Sequence, residues 1–185
     1  SHTATFQISV GQQALRDALA QYLDMAHMDA ASGAFSSDDA ARRALNALAA
    51  KGVGAITYPS GHTDTLDVVV LRATRTGINQ TAGEITRFNA DQLECDLMEL
   101  DAHVGARTGD GGQDLTNHSW WQGQIVSRSG RHGYLSLSDI GYGDVRGFMG
   151  ANCAHNWGMY WEGASVRSYT PERLAAINAA TVSYN

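Results

Sequence analysis

Thirteen of the chain's 20 glycines lie at or beyond Gly105, and all four tryptophans lie between Trp120 and Trp161. A glycine-rich stretch does not sustain long helices, because each glycine costs about 1 kcal/mol relative to alanine in a helix interior. The second half is therefore expected to be turns and short strands organised around aromatics. The first half reads as regular amphipathic structure. Charge divides the same way: residues 1–117 carry 8 Lys+Arg and 15 Asp+Glu, a net of −7, whereas residues 118–185 carry 5 and 4, a net of +1.

With 185 residues, 43% of them hydrophobic, the chain is long and apolar enough for a packed core. A single domain over 1–185 is expected, with a mainly helical part at 1–102 and a loop-rich Cys/His/Trp part at 103–185. The opening Ser1-His2, without Met, reads as part of a longer protein. No apolar run approaches about 18 residues and no signal peptide opens the chain, so no membrane partner is expected. The net charge of −6 argues against a dedicated nucleic-acid binder. Two cysteines, Cys95 and Cys153, cannot make a disulfide framework.

Helix ends and apolar faces are legible. Residues 11–31 place Ala14, Leu15, Ala18, Leu19, Tyr22, Leu23 and Ala26 at helical spacing, with Gly33 as a stop. Residues 37–51 follow Ser36 or Ser37 as a cap, with Asp38 and Asp39 in the first turn and a stripe of Ala41, Ala44, Leu45 and Leu48. A short strand from Val53 to Tyr58 runs into Pro59-Ser60-Gly61. A third helix, about 64–89, carries Leu66, Val69, Val70, Ala73, Ile78, Ala82 and Ile85 on its apolar side. Leu93 to Leu100 alternates as a half-buried strand, and Gln124 to Ser127 is strand-like. A last helix, about 171–179, has Thr170 as cap and Pro171 at its first position. The fold class is α+β: N-terminal helices and a long central helix packed on a small sheet, then a Gly/aromatic-rich irregular C-terminal half.

Three groups of residues could carry chemistry. Arg72, Arg75, Thr76 and Asn79 share one face of the third helix, where two guanidiniums could grip phosphate or carboxylate. The same spacing also suits a solvated face with local ion pairs. His103, His118, Cys153 and His155 form a second group. Cys153 and His155 are two apart, so an extended segment points both to one side. A thiolate with imidazoles is a normal Zn²⁺ set, while a buried free cysteine beside hydrogen-bonded histidines uses the same residues. The enzymatic version takes Cys153 as nucleophile, His103 or His118 as base and Asp101 as its orienting carboxylate. H-E-x-x-H, G-x-S-x-G, the P-loop and the zinc-deaminase pair are all missing. The tryptophans are expected to pack rather than to stack sugars or bases.

Several segments carry a resemblance when taken in order. They are Ser32-Gly33-Ala34-Phe35, Lys51-Gly52-Val53, Tyr58-Pro59-Ser60-Gly61, Arg72 to Gln80 and Asp101-Ala102-His103-Val104-Gly105-Ala106-Arg107. His118 to Gly123, Gly141-Tyr142-Gly143 and Gly150-Ala151-Asn152-Cys153-Ala154-His155 complete the set. In this order, from about Ala31 to Leu174, the chain resembles the phage minor capsid protein family of the minor capsid protein 2 type. It is distantly similar to Mu F-type head-morphogenesis proteins. The chain departs from that pattern in the longer Thr108–Asn117 segment, in Ala154 where an Arg is usual, and in Asn156 to Tyr160.

The resemblance implies a structural component of a phage or prophage virion, present in the host cytoplasm during assembly. Its implied partners are the portal and capsid proteins, with weak contact to packaged DNA through Arg72, Arg75 and Arg107. It also implies a shared local site at His103, His118, Cys153 and His155, with zinc as the cofactor. A hydrolase- or transferase-like enzyme built on these residues and Asp101 is the alternative.

Overall fold

The computed structural model describes residues 32–34, 36–50, 55–57 and 61–184, together with positions 17, 20, 21, 24, 25 and 28. The helix expected over 11–31 lies largely outside the described residues. The chain divides into two compact units, Ser1–Ile78 and Asn79–Asn185. The boundary falls inside the long helix.

In the first unit, α1 (Ser37–Ala50) starts where the sequence places it. The Asp39 N–H donates to Ser36 Oγ at 3.1 Å, and the Ser36 hydroxyl donates to Asp39 Oδ2 at 2.8 Å. The two contacts satisfy one of the first-turn amides and place a carboxylate at the positive end of the helix. Ala40, Ala41, Ala44 and Leu48 are its buried face. Strands β1 (Ala55–Thr57) and β2 (Thr63–Thr65) pair antiparallel, and α2 (Leu66–Gln92) follows at once. Leu66, Val69, Val70 and Thr74 are buried along the start of α2.

The second half of α2 departs from the expected stripe. Ala82 and Ile85 are exposed, and Gly83 and Ala90 are buried instead. The cause is close packing: Trp157 Nε1–H donates to the Gly83 carbonyl at 3.0 Å, and a Cβ at 83 would overlap the Met149 side chain. Small residues, not large ones, mark this buried line.

The second unit holds a mixed four-stranded sheet of order β5-β4-β3-β6. Its strands are β3 (Leu97–Leu100), β4 (Ile125–Ser127), β5 (Leu135–Ser136) and β6 (Trp157–Met159). Both neighbours of β3 are antiparallel to it, and β5 runs parallel to β4. Four helices are present among the described residues: α1, α2, the single turn α3 (His118–Trp121) and α4 (Pro171–Tyr184). The core joins Ala90, Met98, Leu100, Trp121, Val126, Ile140, Phe148 and Trp157. Trp120, Trp121 and Trp157 all belong to this packing, and Trp161 is half exposed.

The strand expected from Leu93 is shorter than its alternation suggests. The helix runs to Gln92, Glu94 takes a left-handed φ of 51°, and the strand begins at Leu97. Glu94 N–H donates to Asp91 O at 3.2 Å and Cys95 N–H to Ala90 O at 2.8 Å. This paired closure ends a helix by the Schellman pattern, with Glu94 where glycine is usual. Ala90 and Cys95, its two flanking apolar groups, both lie in the core. Helix α4 likewise outruns the expected 171–179. Thr181, a poor helix former, is held by a Gly105 N–H donated to its Oγ1 at 3.1 Å, and its own hydroxyl donates to Ile177 O at 3.0 Å.

Candidate metal centre

The loops after β3 and before β6, the α3 turn and parts of α2 and α4 meet at one buried polar cluster. His118, Cys153 and His155 converge so that one ligand atom from each lies within 4.8 Å of the others. A tetrahedron with zinc bonds of ~2.0–2.3 Å has edges of roughly 3.3–3.8 Å, so little contraction would be needed. All three residues are buried, at 1%, 4% and 1% exposure.

Hydrogen bonds set the tautomer of each imidazole. His118 Nε2 lies 2.9 Å from the Arg146 carbonyl, which can only accept, so Nε2 carries the proton and Nδ1 the lone pair. His155 Nε2 lies 3.1 Å from Gln122 Oε1. The Gln122 amide is oriented by its own partners, since Oε1 accepts the His103 N–H at 3.0 Å and Nε2 donates to Asn178 Oδ1 at 2.7 Å. His155 Nε2 is therefore also the protonated nitrogen. Its Nδ1 faces Cys153 Sγ at 3.7 Å. Ligand histidines in metal sites commonly have the second nitrogen held by a carbonyl or carboxylate in this way.

The backbone of the Cys153–His155 segment is held as well. Asn79 Nδ2 donates to His155 O at 2.7 Å, and Asn156 Nδ2 donates to Asn79 O at 3.0 Å. Asp101 Oδ1 accepts the Asn156 N–H at 2.9 Å. Sequence reasoning missed Gln122, Asn156 and Asn178, and it placed Asn79 on the arginine face rather than at this site. Their only signal is an amide in an otherwise apolar or glycine-rich stretch.

Electrostatics follow from burial. Desolvation lowers His118 to about 4, outweighing the Arg146 carbonyl, with Arg107 and His103 adding to the drop. Desolvation lowers His155 to about 2, helped by His103, His118 and Arg107. Burial pushes the Cys153 thiol up. At neutral pH the protein alone presents two neutral imidazoles and a thiol. Neutral imidazoles are the form that binds a metal, and coordination would displace the thiol proton.

His103 stands beside this set. Its ring stacks on His155 with centroids 4.2 Å apart, and its Nδ1 bonds the Val104 carbonyl at 3.0 Å. Its Nε2 is buried and has no hydrogen-bond partner among the described residues.

The residues of the enzymatic alternative are arranged differently from a triad. His155, not His103 or His118, is the imidazole hydrogen-bonded to the thiol. The Asp101 carboxylate is bonded to Asn156 and lines a cavity of about 380 Å³ with Glu99, Tyr160 and Tyr169. Burial raises its pKa above the usual carboxylate value, against the Asn156 hydrogen bond. A nucleophilic cysteine needs a lowered pKa and access, and Cys153 has neither.

The three arginines stand in different settings. Arg72 pairs with Asp64 at 2.8 Å, and Asp64 also contacts His62 at 2.9 Å. Arg75 borders a groove with Asp38, Arg42, Asp67 and Leu71. Arg107 donates to the Ala151 carbonyl at 3.1 Å.

The chain is thus an α+β protein with a buried His/Cys/His group that could hold a metal. The family model described as phage minor capsid protein 2 matches residues 3–185. The chain belongs to that family, which implies a structural role in the virion. No curated protein and no solved structure matches it. Among the described residues no helix is long and apolar enough to cross a membrane.

Proposed function

We propose that the protein is a structural component of the head of a phage or prophage virion, acting in head morphogenesis next to the portal and near packaged DNA. The observation that carries this reading is the family match over residues 3–185. The site supports it, because its candidate nucleophile is buried and its polar groups are spent on holding loops together. Portal and capsid proteins are the partners, and Arg72, Arg75 and Arg107 supply at most weak DNA contact in a chain of net charge −6. The His118, Cys153 and His155 set holds zinc, with His103 adjoining it. Zinc would supply cross-linking of loops that regular hydrogen bonding leaves loose. Cross-linking of purified DNA-filled particles tests the placement. Peptides of this chain joined to portal peptides are expected, and particles lacking the chain would overturn it.

A further inference from the structure

Resting on the reading of a metal at this site, we propose that the centre is closed: His118 Nδ1, His155 Nδ1, Cys153 Sγ and His103 Nε2 together hold one zinc ion, with no position left for water. The deciding residue is His103. A buried polar atom without a partner has lost its hydration with nothing in return, so such atoms call for an explanation. His103 Nδ1 faces a carbonyl, which can only accept, so the proton is on Nδ1 and the buried Nε2 carries a bare lone pair. On the ring stacked against it, His155 Nδ1 already faces the Cys153 thiol at 3.7 Å, so His103 Nε2 is the lone pair left unmet. Only a proton donor or a cation satisfies atoms of this kind. The imidazole N–H groups of its neighbours are spent elsewhere: His155 Nε2–H goes to Gln122, and His118 Nε2–H goes to Arg146 O. A cation held by the converging His118, Cys153 and His155 atoms, beside the stacked His103 ring, would meet that lone pair as well.

The fourth donor also selects the metal. Two imidazoles and one thiolate alone form the trigonal set that copper takes with a weak axial ligand. A third imidazole makes four strong donors, all nitrogen or sulfur, which suits tetrahedral zinc. The closed site would tie three separate segments of the chain (at 103, 118 and 153–155) to one point. It would leave no metal-bound water, and so no hydrolytic nucleophile.

The test is titration of the full chain with Co²⁺ as the spectroscopic probe, followed by X-ray absorption of the zinc form. Expected are one metal per chain, tetrahedral cobalt bands with thiolate charge transfer, and a shell of one sulfur and three nitrogens. His103→Ala should keep the charge-transfer band, weaken binding at least tenfold and shift the bands as water enters. His103→Cys should restore tetrahedral bands with a second thiolate, which shows that a ligand and not merely packing was lost. A wild-type shell of one sulfur, two nitrogens and oxygen would overturn the closed site while leaving the metal reading in place. So would cobalt spectra and affinity unchanged in His103→Ala, or an intense blue copper form that binds more tightly than zinc. No uptake of cobalt, zinc or copper by the folded wild type would overturn both.

Discussion

Gln122 Oε1 accepts from both His103 and His155: the His103 backbone N–H at 3.0 Å and His155 Nε2 at 3.1 Å. One side chain, itself 1% exposed, thus fixes two of the cluster's histidines. Its own Nε2 is spent on Asn178 in α4. Gln122→Leu keeps the volume and strips all three bonds, leaving buried donors and an acceptor unmet. A loss of about 3 kcal/mol or more is expected in urea denaturation. A change below about 0.5 kcal/mol would show that the cluster is not organised through Gln122.

Gly83 is the place where α2 meets the sheet. A Cβ there would overlap Met149 Cε and crowd Asn156 Oδ1 at 3.2 Å. Gly83→Ala is therefore expected to destabilise by about 1–3 kcal/mol, despite alanine's better helix propensity. Because the overlap is with the tip of a flexible side chain, adding Met149→Ala should cost less in the Gly83→Ala background than in wild type. Strictly additive effects in a double-mutant cycle would contradict this packing.

Glu94 holds a left-handed conformation that glycine adopts without strain. Glu94 is exposed, so little packing is lost on truncation. Glu94→Gly should raise stability by about 0.5–1 kcal/mol, read as a higher urea midpoint at unchanged slope. A lower midpoint would mean that the Glu94 side chain makes an interaction worth more than the strain.

DNA binding should be weak and carried by few phosphates. Counterion release makes the slope of log K against log salt proportional to the phosphates neutralised, about 0.9 for each. Arg72 is already committed to Asp64, which leaves Arg75 as the freer cation on that helix face. Fluorescence anisotropy should give a shallow slope that falls by no more than about 2 in the Arg72→Ala/Arg75→Ala double variant. Tight binding at physiological salt, unchanged in that variant, would exclude this face.

The Asp64 carboxyl offers a pH readout of the same pair. Burial pushes its pKa up, but hydrogen bonds from His62 and Arg72, with their charges, bring it below the usual value. A depressed carboxylate adds stability that is present above its unfolded pKa and is lost as pH falls through the lower folded one. Arg72→Ala should therefore move the Asp64 titration upward in an NMR pH series. An unmoved titration would show that Arg72 does not hold that carboxylate.

Features encoded within a few residues are legible in the amino-acid sequence alone. Ser36 caps α1, and Thr170 caps α4 by accepting the Arg173 N–H at 3.3 Å, because a cap is a contact across three residues. The His/Cys residues of the site are legible too, as uncommon side chains in a glycine-rich half. The end of α2 is not. Glu94 carries no glycine signal, and its closure is sustained by burial of Ala90 and Cys95 in a core assembled from β3, β4 and β6.

By itself, the sequence determined helix starts, the division into a regular and an irregular half, and which side chains could hold a metal. These follow from propensity, capping and side-chain chemistry, all short-range properties. Only the tertiary structure decided which nitrogen of His118 and of His155 carries its lone pair. For His118 that choice belongs to the carbonyl of Arg146, 28 residues away, and for His155 to the amide of Gln122, 33 residues away. It likewise turned Asp101 toward the Asn156 amide, a partner 55 residues along the chain. A hydrogen-bond acceptor acts through space at about 3 Å, and no local pattern records which distant group will stand there.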